Sequence, residues 1–379
     1  MTTSLTSSVR SKTLSFVAAA SAAILLTACN TSESSLKTWT SEAELSNAIA
    51  NSSITEVIDI SIIPAANRFQ QQAASLDENS ETFCANLNAE NLTTLQAQWI
   101  KTNSAWFELL PYRFGPMLNS QIFPTYTFID SHRLRGDNYT VSARSKIDGL
   151  LAASDPLTEN TFSDLGFQFV GLLALEISLF EDAAQQSSDK AIILAEYQSN
   201  PRKCELLNGY AQQLLQHANS IQQGWSDNYR STGKSYRELL INSELEAVLD
   251  DESGDSAIKK VTVSVQEFYD YIGKRNVTTN VAQLSESVWP ALASSLKGTA
   301  ELLQGTAATQ KSLHDIMLDN RFDQTIINVQ SSIDWMTTAI AEQNDTDAKA
   351  AAKAIDGNFK RDIPEALNIN LGLNFSDGD

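Results

Sequence analysis

The chain has 379 residues, with 27 Lys and Arg against 46 Asp and Glu, a formal charge of −19. That balance excludes nucleic acid and anionic lipid head groups as partners, because both repel a strongly acidic surface. An acidic surface attracts cations, but it also simply keeps an exported protein soluble.

The N-terminus reads as an export signal. Arg10 and Lys12 precede the apolar run "FVAAASAAILL", and no acidic residue occurs before Cys29. The run is short for a membrane span. It ends in "LTAC", which looks like a bacterial lipobox, so cleavage before Cys29 and lipidation of Cys29 are expected. Residues 1–28 are then the signal peptide, and 29–37, with the polar "TSESSLK", the lipidated cysteine and its tether. Asn30, in place of Asp, resembles lipoproteins sent to the outer membrane. The expected location is the periplasm, anchored to the membrane through lipid.

The body is predicted to be all-α. Leu92, Leu95, Trp99, Trp106 and Leu110 fit one helix face. Trp99 and Trp106 repeat at seven, as a core seam does. The order continues with Cys204, Leu207, Ala211, Leu214, Ala218, Ile221 and Trp225, then Val261, Val265, Phe268 and Ile272. Phe322, Ile326, Val329, Ile333, Met336 and Ile340 form the last stripe. The breaks "PYRFGP", "SDP", "NP" and "SGD" separate helices, and long amphipathic helices with short connections imply bundles. The polar stretch "SDNYRSTGKSY" suggests a boundary, giving an N-terminal bundle at 38–227 and a C-terminal bundle at 228–379. A single larger helical domain is the alternative.

In an oxidising compartment Cys84 and Cys204 are expected to form a disulfide; two buried thiols are the other possibility. Their spacing is not a metal motif. Within "GLLALEISLF", Glu176 falls on the helical stripe of Phe169, Leu173 and Phe180. A carboxylate there binds a metal, does acid–base chemistry, or serves as a structural hydrogen-bond hub. Unpaired burial of its charge costs several kcal/mol, roughly, so it needs a partner or a proton. Arg113 of "YRFGP" is the expected partner. Neither H-E-x-x-H, His-x-x-x-His nor Cys-x-x-Cys is present.

Four stretches, in order, resemble the imelysin-like (peptidase M75-like) family. They are "AWFELLPYRFGP", "GLLALEISLF", the cysteine-led "CELLNGYAQQLLQHANSIQQGW", and the ending "LGLNFSDGD". The last is similar to the GFN-x-x-DGD end of the periplasmic lipoprotein branch. The resemblance implies two helical bundles with a site at their interface, export, and a link to bacterial iron uptake and its envelope proteins. A founding member described as a protease adds the alternative of a metallopeptidase. Gly171 and Glu176 match the family's G-x-H-x-x-E motif, but Leu173 stands where the motif has histidine. Leucine has no lone pair, so Glu176 alone does not complete a transition-metal site. The site the resemblance implies comprises Glu176 and Gly171, with Tyr112, Arg113, Phe114, Gly115 and Pro116 at the helix end, and Asp377 and Asp379 at the terminus. No catalytic residue is assigned, and the metal, iron or another cation, is left open. The expected role is a non-enzymatic component that binds a ligand or partner, with metallopeptidase and structural envelope lipoprotein as alternatives.

Three histidines remain. His132, in "DSHRLRGD" with Asp130 and Asp137 nearby, reads as a solvated loop residue or part of a metal site. His217 lies off its helical stripe and is expected in solvent. His314 and Asp315 open a helix at the surface.

Overall fold

A computed structural model of the chain describes residues 53–118, 123–249 and 253–371. Cys29 with its signal and tether, and Asp377 and Asp379, lie outside these residues. Among the described residues the regular structure is helical throughout, with no strand. None of their helices is long and apolar enough to cross a membrane.

Helix α1 (Ile63–Ala85) continues directly from a π turn at Ile58–Ile62, and Pro64 sits just past that turn, where the helix widens. Asn88 caps α2 (Ala89–Leu109) by accepting the Asn91 N–H at 2.9 Å. The expected stripe of α2 is buried: Leu92, Leu95, Trp99 and Trp106 are all within the core. Both indoles satisfy their N–H groups there, Trp99 on the Leu172 carbonyl at 3.2 Å and Trp106 on Asp130 at 3.3 Å. Two short helices follow, α3 (Thr125–Ile129) and α4 (His132–Arg135), then α5 (Thr140–Ala152) and α6 (Gly171–Phe180). Helix α7 (Arg202–Ser226) buries Leu207, Ala211, Leu214, Ala218, Ile221 and Trp225 as its spacing predicts. Helix α1 packs on both α2 and α7, with α6 against α2 and α7. Cys84 and Cys204 form a disulfide that ties the end of α1 to the first turn of α7.

The second group comprises α8 (Ala257–Lys274), α9 (Val277–Asn280), α10 (Val288–Gln304), α11 (Asp323–Ala341) and α12 (Asp345–Gly357). Helix α12 packs against α8 and α11, and α10 against α11. Val261, Val265, Phe268 and Ile272 of α8 are buried as expected, whereas on the last stripe Val329, Ile333 and Met336 are buried and Phe322, Ile326 and Ile340 only partly covered. Helix α2 also packs on α10, so the helices on either side of residue 227 share a continuous apolar core. The Tyr112 hydroxyl strengthens that junction by donating to the Gly298 carbonyl at 3.1 Å. All described residues belong to one compact unit.

Candidate functional site

Helix α6 starts under a tight constraint. Gly171 has φ +73°, and a Cβ there would lie 2.4 Å from the Phe128 carbonyl oxygen and 2.5 Å from that of Ile129. Only glycine lets the first turn of α6 press against the end of α3. The helix is apolar nearly all round, as a buried helix must be. The stripe of Phe169, Leu173 and Phe180 turns out to be its less buried face; Leu172, Ala174, Leu175 and Leu179 face the core. Glu176 lies on that outer stripe and is still only 3 % exposed.

What covers Glu176 is the loop after α9. Its Oε1 accepts the Ser285 backbone N–H at 2.9 Å and the Ser285 hydroxyl at 2.8 Å. Burial pushes the carboxyl up to about 7, against the pull of the Ser285 and Leu284 hydrogen bonds, and the charge of Glu181 adds to the rise. The expected pairing with Arg113 is not formed. Arg113 instead binds Glu267 at 2.5 Å and the Tyr126 hydroxyl at 3.0 Å, and its guanidinium stacks on the Tyr126 ring. The residues of "PYRFGP" therefore serve another part of the fold. Phe114 packs edge-on against Trp225 at 5.4 Å. Gly115, at φ +56°, lies so close to Tyr236 that a Cβ would reach 2.5 Å from its ring, and Pro116 sits beside Gly224. Tyr112, Arg113, Phe114, Gly115 and Pro116 are not on the walls around Glu176. Arg113 and Phe114 instead border a separate groove beside Lys259, Lys260 and Glu267.

Glu176 and Leu173 form the wall between two spaces. Inside is a cavity of about 30 Å³, with Trp99, Asn103, Asp130, Ser131 and His132 on its other walls. Outside is a groove of about 530 Å³ between α5, α6 and the α9 region. Leu173, standing where the family motif has histidine, thus faces both spaces with a methyl-tipped side chain.

His132 is not the solvated loop residue its polar neighbours suggest. It is 6 % exposed and opens α4. Its Nδ1 lies 2.6 Å from the Tyr271 hydroxyl, while Nε2 has no partner. Burial lowers its basicity and raises the Asp130 carboxyl, so both drift toward the neutral form. Arg133 stacks over the ring of Tyr271, 4.4 Å from its centroid. The remaining histidines also differ from expectation. His217 is half-buried against Phe128, and burial lowers it to about 4; His314 is half-buried, although Asp315 does cap its helix through Ser312 as a helix opening requires. Among the described residues no group of three or more His, Cys, Asp or Glu is placed to hold a metal ion. Ser285, Tyr271 and Asn103, which complete this region, carry no sequence signal, because each is placed by packing rather than by a motif.

The fold and this site define an all-helical protein with a small polar cavity under a motif helix. A family model described as imelysin, peptidase M75, matches residues 62–362, and the chain belongs to that family. Two solved structures share the fold. An imelysin-like protein from Psychrobacter arcticum 273-4 is 15 % identical with a TM-score of 0.57, covering 88 % of this chain and 98 % of its own. A protein from Parabacteroides distasonis ATCC 8503, described as an iron-regulated protein A precursor, is 12 % identical with a TM-score of 0.54, covering 88 % and 97 %. No curated protein matches the chain.

Proposed function

We propose that this imelysin-family chain is an exported, lipid-anchored binding protein of the periplasm, held at the outer membrane, which serves iron uptake without catalysing a reaction. One observation carries the non-enzymatic reading: the motif carboxylate is already engaged. Glu176 accepts from the backbone N–H and the hydroxyl of Ser285, and Leu173 beside it offers no ligand atom. A carboxylate so used pins α6 to the loop after α9 and leaves a groove to bind with. The iron link is supported by family membership and by the iron-regulated character ascribed to the Parabacteroides distasonis neighbour. Export and the anchor are supported by Arg10, Lys12 and the "LTAC" sequence before Asn30.

The test pairs two measurements. The purified chain is incubated with a mixed peptide library, with and without chelator, and a strain lacking the gene is grown at limiting iron. No cleavage and a growth defect cured by the intact gene are expected. Chelator-sensitive cleavage, lost in Glu176→Ala, would overturn the reading in favour of a metallopeptidase.

A further inference from the structure

Buried polar atoms in folded proteins nearly always have a hydrogen-bond partner. Three that lack one meet on the wall of the cavity beneath α6: Asn103 Nδ2, Ser131 Oγ and His132 Nε2. Their residues are 1 %, 2 % and 6 % exposed, so bulk water does not serve them. They come from two separate elements, α2 and the start of α4, that converge on the same space as Glu176 and Asp130. A cavity of about 30 Å³ admits one or two groups the size of water.

The donor set narrows what those groups are. The Asn103 amide nitrogen only donates. The Ser131 hydroxyl does either. The His132 Nε2 donates if the Tyr271 hydroxyl gives its proton to a bare Nδ1, and accepts if Nδ1 carries the ring proton and donates to the Tyr271 oxygen. Asp130 and Glu176 accept when ionised and donate when neutral. A carboxylate or phosphate would face Asp130, Asp137 and Glu176 on the same walls. An ammonium would meet the Asn103 N–H. A hydroxyl both donates and accepts from one atom, so it satisfies the set in either tautomer of His132.

The groove outside fits the same chemistry. Asn138, Thr140, Thr279, Asn280 and Gln283 line it, all uncharged hydrogen-bonding side chains. Its one cation, Arg144, is held by both oxygens of Glu181 at 2.7 and 2.6 Å. The groove and the cavity share Asn138, Thr140, Leu173, Glu176 and Asn280, so the two spaces adjoin.

We propose that the groove over α6 binds a neutral polyhydroxylated ligand, a sugar or polyol, with one hydroxyl seated among Asn103, Ser131 and His132. This rests on reading the region as a binding site, and it makes His132, contributed by a separate helix, the imidazole of the site in place of the motif histidine. The test is calorimetry on the purified full chain against glucose and mannitol, with sodium sulfate and tetramethylammonium chloride as charged probes. Saturable binding of a neutral probe is expected, weakened at least tenfold by His132→Phe and by Ser131→Ala, with no binding of the charged probes. Glucose binding without mannitol selects a ring sugar, and the reverse a linear polyol. Thermal unfolding of each variant checks that it folds; should His132→Phe not fold, Ser131→Ala carries the comparison. No response to either neutral probe, a response that the variants leave intact, or binding of a charged probe alone would overturn the proposal. The peptide-cleavage and iron-limitation results do not depend on these probes, so the two readings fail separately.

Discussion

Glu176 and Ser285 are 109 positions apart and hold each other through two hydrogen bonds to one carboxylate oxygen. The contact fastens the motif helix to the loop that follows α9. It also has a pH signature. The folded carboxyl titrates at about 7, against an ordinary value of 4.5. A carboxyl raised by folding contributes its full stability below the ordinary value and loses it as pH rises through the folded one. From about pH 5 to pH 8, this group therefore removes up to about 3 kcal/mol of stability. The carboxyl of Asp315, held low by its hydrogen bonds with Ser312, and that of Asp345, held low against its partial burial by hydrogen bonds with Thr278 and Lys349, act oppositely and lose stability only as pH falls through the acid range. Urea unfolding at pH 5, 6, 7 and 8 is expected to show Glu176→Gln, which keeps the acceptor without the charge, gaining stability relative to the wild type as pH rises; the lowered histidines His132, His217 and His314 push both profiles the opposite way below about pH 6.5 and cancel in the difference. Glu176→Ala is expected to lose about 1–3 kcal/mol at pH 5, because it orphans the Ser285 backbone N–H, whereas the hydroxyl keeps the Ala282 carbonyl and Ser287 within reach. An unchanged slope in Glu176→Gln would show that another group titrates.

Gly171 has a structural duty that the motif alone does not reveal. Its positive φ and the carbonyls of Phe128 and Ile129 leave no room for a side chain. Gly171→Ala is expected to cost about 3 kcal/mol or more, the left-handed strain adding to a backbone clash. Thermal unfolding measures this directly. A variant as stable as wild type would mean that α3 and α6 separate freely.

The helices were legible because the 3.6-residue period reports burial directly, as Leu92, Leu95, Trp99 and Trp106 on α2 illustrate. Glu176 was legible as an anomaly, since a charge on an apolar helix needs an explanation. Its partner was not, because serine has no periodicity and Ser285 reaches it through a loop. The stripe of Phe169, Leu173 and Phe180 misled for a related reason: in a helix buried all round, periodicity does not tell the core face from the groove face. His132 misled because its neighbours Asp130, Ser131, Arg133 and Arg135 are polar, and its helix is a single turn. Its burial is conferred by Tyr271, 139 positions away.

The partnership of Arg113 is testable by a double-mutant cycle. Arg113 and Glu267 are partly buried, with side chains 20 % and 31 % exposed, so the pair is worth about 1–2 kcal/mol after allowance for solvent screening. The cycle Arg113→Met with Glu267→Leu is expected to return a coupling of that size. The cycle Arg113→Met with Glu176→Gln is expected to return a coupling near zero. Urea denaturation at pH 6 supplies both. Strong coupling between Arg113 and Glu176 would show that the two motifs communicate through a route other than contact.

The disulfide between Cys84 and Cys204 closes a long loop, since the residues are 120 positions apart. Helices α1 and α7 pack along their lengths whether or not the bond is present. The bond therefore acts chiefly on the unfolded chain, whose freedom it restricts. Replacing both cysteines, Cys84→Ala with Cys204→Ala, is expected to lower stability by about 2–5 kcal/mol while leaving the helical circular dichroism unchanged. The slope of free energy against denaturant is expected to steepen, because the uncrosslinked chain exposes more surface on unfolding. Mass spectrometry after alkylation of the unfolded chain checks the bond itself. Cys84 and Cys204 are expected to stay unlabelled until a reductant is added; labelling without one would show that the cysteines are free thiols and would remove the stability prediction with them.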